Sequence, residues 1–341
     1  MNKIIKNAML AFAVSTFFQL TAVSPGFDQS VFSPNGSFLV ISKNGGKTLV
    51  LNASSLCTLC EHEISNKNYA SICFSPNGSL YAICNDGGDV RIYNSDNELY
   101  SSFKINEQNL FCCCFLNDKE IALGCYDSQI YIYNVESGFC VETLVFGCRD
   151  GVEHISVSRD GRFIVGATFK DDDCDGEMCD DDGCAHGVAI VKVFNVLTKN
   201  CIKNFIFREE VVNVLFSPDN VYLVVITKSN IHLYNMKDNL PDDPIKTEGF
   251  NICSAAFSPM NSRGNYSLSM GCDDGLVRTC LFPSFSFYDV RIPGVSIADS
   301  KFTSVCFCPV TGTRGEEMFK LFAGTNNDQF GVCYLDFPPG F

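Results

Sequence analysis

The densest run of potential ligands in this sequence is Asp171-Asp172-Asp173-Cys174-Asp175-Gly176-Glu177-Met178-Cys179-Asp180-Asp181-Asp182-Gly183-Cys184-Ala185-His186. Calcium takes about six to eight oxygens, and alternating carboxylates before a sharp glycine turn can wrap them around one ion. Asp171, Asp173 and Asp175 alternate ahead of Gly176, and Asp182 holds the twelfth place, where a calcium loop carries its bidentate carboxylate. The competing reading is a solvated acidic hairpin tip, since eight acids between Asp171 and Asp182 fit such a pattern easily. Zinc suits Cys174, Cys179, Cys184 and His186 by type, but four residues separate successive cysteines, whereas structural zinc sites favour gaps of about two. Cys57 and Cys60 have that gap and stand alone; three places apart on a strand, they point to opposite faces. Calcium, on Asp171, Asp173, Asp175 and Asp182, is the metal expected if any is bound; no other cofactor is required.

Catalysis needs a nucleophile, a base and a group to orient it. The histidines are His62, His154, His186 and His232, none in a recognisable motif. There is no Gly-x-Ser-x-Gly elbow, phosphate-binding glycine loop or His-Glu-x-x-His. The expectation is a protein without enzymatic activity.

The net charge of −14, with no basic cluster against it, argues against nucleic acid as a partner. Of the 20 cysteines, Cys73, Cys114 and Cys306 alternate with Val31, Leu215 and Ala256 in one repeated slot, and Cys84, Cys125 and Cys272 share another with Ser42. That is the placement of buried free thiols acting as small hydrophobes, which favours a reducing compartment. In Cys112-Cys113-Cys114, Cys113 points away from its neighbours and is the candidate for exposure.

The elements that would position these residues come from a repeat. Val31-Phe32-Ser33-Pro34-Asn35-Gly36 returns as Cys73-Phe74-Ser75-Pro76-Asn77-Gly78, Leu215-Phe216-Ser217-Pro218-Asp219 and Ala256-Phe257-Ser258-Pro259. Weaker copies surround Phe115, Val157 and Phe307. The markers Phe32, Phe74, Phe115, Val157, Phe216, Phe257 and Phe307 stand 42, 41, 42, 59, 41 and 50 residues apart. A unit of about 40 to 45 residues is one four-stranded propeller blade. Within the second unit, strands at 69–75, 80–84 and 90–94 are separated by Pro76-Asn77-Gly78 and Asn85-Asp86-Gly87-Gly88, which supply the dihedrals of tight hairpins. The 59-residue interval places a Cys-containing acidic insertion, residues 170–186, in the fourth unit.

These units resemble the WD-repeat family over nearly the whole chain. The family's Trp-Asp is matched by Tyr93-Asn94, Tyr133-Asn134, Phe194-Asn195 and Tyr234-Asn235, and more weakly by Leu51-Asn52 and Leu335-Asp336. Its turn aspartate is matched by Asp86, Asp127, Asp274 and Asp328; its Gly-His pair is missing. The resemblance implies an all-β, seven-bladed β-propeller of four-stranded WD-like repeats, one domain over residues 1–341. The seventh unit ends after its third strand, and WD-type rings commonly close with an N-terminal strand. Part of Ala8 to Leu20 is expected to supply it. The alternative is a signal peptide over residues 1–22, with Lys3 and Lys6 ahead of an uncharged stretch. Ser15, Thr16 and Gln19 within that stretch argue against a membrane span.

The functional expectation is a cytoplasmic protein-protein interaction scaffold or adaptor, a monomeric propeller within a complex that binds a protein or peptide partner. The alternative is a secreted or lumenal propeller whose acidic loop binds calcium.

Overall fold

The computed structural model describes residues 27–43, 47–64, 70–105, 110–147, 151–168, 188–237, 245–247, 250–292, 295, 300–308, 319–327 and 329–335. Among them the chain forms strands and turns with no helix. The first sheet holds β1 (Phe27–Phe32), β2 (Phe38–Lys43), β3 (Lys47–Asn52) and β4 (Thr58–Glu63). The second holds β5 (Ala70–Phe74), β6 (Leu80–Asn85), β7 (Asp89–Asn94) and β8 (Leu99–Lys104). In the third are β9 (Leu110–Asn117), β10 (Glu120–Cys125), β11 (Gln129–Asn134) and β12 (Cys140–Val145). The fourth contains β13 (Val152–Val157), β14 (Phe163–Thr168), β15 (Ala189–Asn195) and β16 (Cys201–Phe207). The fifth contains β17 (Val211–Phe216), β18 (Tyr222–Thr227), β19 (Asn230–Asn235) and a short β20 (Ile245–Lys246). Then come β21 (Ile252–Phe257), β22 (Tyr266–Cys272), β23 (Val277–Phe282) and β24 (Ser286–Val290), followed by β25 (Phe302–Phe307), β26 (Phe319–Thr325) and β27 (Phe330–Leu335). Each sheet is an antiparallel meander in chain order, and the fold is the seven-bladed β-propeller that the repeat implies. The seventh sheet has three strands among the described residues. The closure strand expected from Ala8 to Leu20 lies outside them, as does the insertion between β14 and β15.

The repeated Ser-Pro-Asx motif is a turn device. The Oγ of Ser33, Ser75, Ser158 and Ser217 donates to Asn35, Asn77, Asp160 and Asp219 at 2.5–2.9 Å. The same oxygen accepts the N–H that opens the second strand, from Phe38, Leu80, Phe163 and Tyr222, at 2.8–3.0 Å. Gly78 completes the turn at φ +71°, a conformation that costs glycine little. At the end of the third strand an asparagine is the acceptor: Asn94 Oδ1 takes the N–H groups of Asp96 and Glu98, and Asn195 Oδ1 those of Leu197 and Thr198. These are Asx turns, which any short side-chain acceptor can close.

The chain groups into two compact units. One comprises Met1–Asn44, Thr48–Glu61 and Glu248–Phe341; the other comprises Gly45–Lys47 and His62–Thr247. Within the first, β1 packs on β25 and β25 on β21. Ser30 Oγ lies 2.6 Å from Ser304 Oγ, a contact spanning 274 residues. Leu39, Ile41, Leu51, Cys306 and Phe322 form the core beside it.

Within the second unit the first strands β5, β9, β13 and β17 lie side by side. The aromatic of the third strand meets a ring from the preceding sheet's outer strand: Phe103 stacks on Tyr133 at 4.9 Å and 8°, and Phe205 meets Tyr234 at 4.1 Å. Between the third and fourth sheets Leu144 occupies the Phe103 slot, and Phe146, two residues on, reaches Phe194 at 5.6 Å. Tryptophan is therefore dispensable, because any ring long enough to span the joint buries the same apolar edge. In the fifth sheet the outer strand β20 comprises two residues among the described ones.

Candidate functional site

In an outer strand of a blade, alternate residues face the next blade and the solvent. The inward set is as expected: in β8, Ser101 Oγ donates to the Val135 carbonyl at 2.5 Å and Phe103 packs on Tyr133. The outward set departs from polarity. Tyr100, Val141 and Ile202 are the second residues of β8, β12 and β16, and they are 49%, 50% and 44% exposed. Val145 and Ile206 repeat the pattern four residues on in β12 and β16, both exposed. At the hairpins leading into these strands Phe139 is 73% and Leu197 90% exposed. The only charged residues in β12 and β16, Glu142 and Lys203, are half-buried. In β8 the matching outer position is the exposed Lys104, so the charge-free outward face is that of β12 and β16, and exposed apolar residues at matching places there have the composition of an interface core.

Two clefts lie beside this surface. One, of about 290 Å³, opens between the second and third sheets against Leu80, Tyr100, Lys119 and Val135. The other, of about 470 Å³, opens between the third and fourth against Glu120, Arg162, Val196 and Leu197. The first lies where the turn ahead of β6 meets the turn after β11, and the second where two turns of the fourth sheet meet Glu120 of the third.

The opposite ends of β13 and β17 carry a titratable cluster. Burial, reinforced by the neighbouring charge of Glu210, pushes the Glu153 carboxyl up to about 7. Burial pulls His154 down to about 4, against the opposing pull of the Val211 backbone and Glu210. Glu210 is ion-paired with Lys228. Glu209 accepts from Thr227 Oγ1 at 2.6 Å, Ser229 Oγ at 2.8 Å and Asn230 Nδ2 at 2.8 Å. Burial disfavours its ionised form, yet these donors outweigh that and hold the carboxyl below its usual range. Glu209 is thus fully engaged as an acceptor, while Glu153 is the group able to exchange a proton near neutrality.

Asp171, Asp173, Asp175 and Asp182 lie outside the described residues, as do Cys174, Cys179, Cys184 and His186. The insertion leaves the fourth sheet after Thr168, the end of the strand paired with Val152 to Val157. Cys57 is exposed and Cys60 half-buried. Cys113 departs from expectation: it is buried, because β9 is covered on both sides by β5 and β13. His154 and His232 lie on strands, as the sequence suggests, both lowered by burial.

The turn acids have partners the sequence reading missed. Asp127 accepts from the Tyr131 hydroxyl at 2.6 Å. Asp274 takes a bidentate pair from Arg278 at 3.0 and 2.6 Å, and that guanidinium lies 3.6 Å above the Phe250 ring. In both hairpins the partner is four residues beyond the acid, which is the legible signal: a donor at that offset across a tight turn. No helix among the described residues is long and apolar enough to cross a membrane. Neither a protein-family model nor a curated protein matches this sequence.

Proposed function

We propose that this β-propeller is of the WD type and serves as a non-enzymatic, cytoplasmic scaffold that holds a protein partner against the outer strands of its second to fourth blades. The observation that carries the reading is the set Tyr100, Val141 and Ile202, exposed at one strand position in three successive sheets and flanked by Phe139 and Leu197. Blade length, the ring-asparagine pairs and the turn acids support the WD assignment. Docking across several blades suits a rigid surface, because little conformational entropy is lost on binding.

The test compares wild type with a Tyr100→Ser, Val141→Ser, Ile202→Ser variant in affinity capture from the native source. These side chains face solvent, so the variant keeps the melting temperature. A protein retained by wild type and lost by the variant supports the reading. Identical captured sets from both, at equal folding, refute it.

A further inference from the structure

We propose that Cys73 and Cys113 are an oxidation site, a thiol pair that a peroxide converts into a disulfide joining the second and third blades. The two Sγ atoms lie 3.3 Å apart, 40 residues apart in sequence, on β5 and β9. Both thiols are free and buried. A disulfide spans roughly 2.05 Å, so closure asks each sulfur to move by roughly 0.6 Å, within reach of small side-chain rotations. The repeat shows that packing does not require sulfur here. The slot of Cys73 is filled elsewhere by Val31, Leu215 and Ala256, and that of Cys113 by Ile72, Ile155, Val214 and Val305. Sulfur occupies both slots where β5 faces β9, and there the two atoms meet.

The surroundings order the chemistry. Ser71 Oγ lies 3.5 Å from Cys113 Sγ and accepts the Cys113 N–H at 3.1 Å. The Cys73 thiol points its hydrogen at the same sulfur. Hydrogen bonding with Cys73, Cys84 and Ser71 holds the Cys113 thiol well below its usual range against the effect of burial. Burial first, then the neighbouring sulfurs, push Cys73 well above. Cys113, the sulfur that accepts from the Cys73 thiol, is placed to be the attacking thiolate, and thiolate rather than thiol is the reactive form. It attacks one oxygen of hydrogen peroxide, giving a sulfenic acid and hydroxide, which takes up the proton that Cys113 released and leaves as one water. The Cys73 sulfur then displaces hydroxide from that sulfenic acid, and the hydroxide takes the Cys73 proton as a second water. Two thiols lose two electrons and two protons, and one peroxide is reduced to two waters.

The reduced full-length chain is exposed to hydrogen peroxide while folded, alkylated without reduction, and digested with trypsin, which cuts between the pair at Arg91 and Lys104. The expected product is a linked peptide pair joined at Cys73 and Cys113, lighter by two hydrogens than its parts and separated by dithiol reductant. Oxidation also raises the melting temperature by roughly 5 °C or more, because the link closes a 40-residue interval. Cys73→Val and Cys113→Val borrow the valine found in the same slots of other blades; both abolish the link and the shift. Recovery of both residues alkylated from peroxide-treated wild type overturns the proposal, and so does a link from Cys113 to Cys84. The wild-type result stands by itself if a variant fails to fold.

Discussion

The ring-on-ring contact between adjacent blades can be weighed directly at Phe103 and Tyr133. Their rings stack at 4.9 Å and 8° within a cluster that includes Ile105, Val135 and Ile121. The perturbation is a cycle of Phe103→Leu, Tyr133→Leu and the double variant. Leucine is the right replacement because Leu144 already fills the Phe103 slot in the third sheet. Both side chains are partly buried. Each single change therefore costs less than a full large-to-small core truncation, about 1–2 kcal/mol. An aromatic pair contributes about 0.5–1.5 kcal/mol beyond its buried area, so the double variant loses less than the sum of the singles by that amount. Urea titrations followed by circular dichroism and by fluorescence give the stabilities, and coincident transitions establish that the unfolding is two-state. Losses that add to within about 0.3 kcal/mol would refute the claim that the rings recognise each other rather than filling space independently.

Gly124→Ala tests a close approach: an added Cβ would sit 2.5 Å from Cys112 Sγ and 2.6 Å from the Val152 carbonyl oxygen. The carbonyl belongs to the adjoining β13 and cannot turn aside cheaply. A loss of about 1–3 kcal/mol on denaturation is expected, and wild-type stability would contradict the packing. Glu153 and His154 have opposite pH signatures. Glu153 rises from 4.5 to about 7 on folding, so the folded state holds the extra proton and stability falls as pH rises through that window. His154 drops from 6.5 to about 4, so the unfolded state holds the extra proton and stability is lost as pH falls from 6.5 toward 4. Glu153→Gln removes the first slope, and melting temperature should then climb more steeply than wild type between pH 4.5 and 6.5; parallel profiles would remove Glu153 from the account. For the acidic loop, calorimetry at millimolar calcium compares wild type with Asp171→Ala, Asp173→Ala. Heat confined to wild type supports the calcium reading, and none in either sinks it.

Much of the fold was legible because its signals are local. The strands expected at 69–75, 80–84 and 90–94 are found at Ala70–Phe74, Leu80–Asn85 and Asp89–Asn94, since Ser75, Asn77 and Gly78 complete their turn within six residues. Cys113 shows the limit. Alternation along β9 assigns it the face opposite Cys112 and Cys114, but alternation cannot say that both faces are covered. The apolar outer faces of β12 and β16 were hidden for the same reason: Val141 and Ile202 read as ordinary strand residues until the sheets show which side has no neighbour.

The sequence by itself determined the repeat, the turn chemistry and three strands of the second unit, because the turns that bound them depend on hydrogen bonds between residues two to five apart that form wherever the chain is. Only the tertiary structure decided what meets across the blades. Ser30 reaches Ser304, Cys73 faces Cys113, and Glu153 lies in the field of Glu210. Such contacts span 40 to 274 residues. They exist only once whole sheets have packed, when burial and neighbouring charge replace the water that set each side chain's ordinary chemistry.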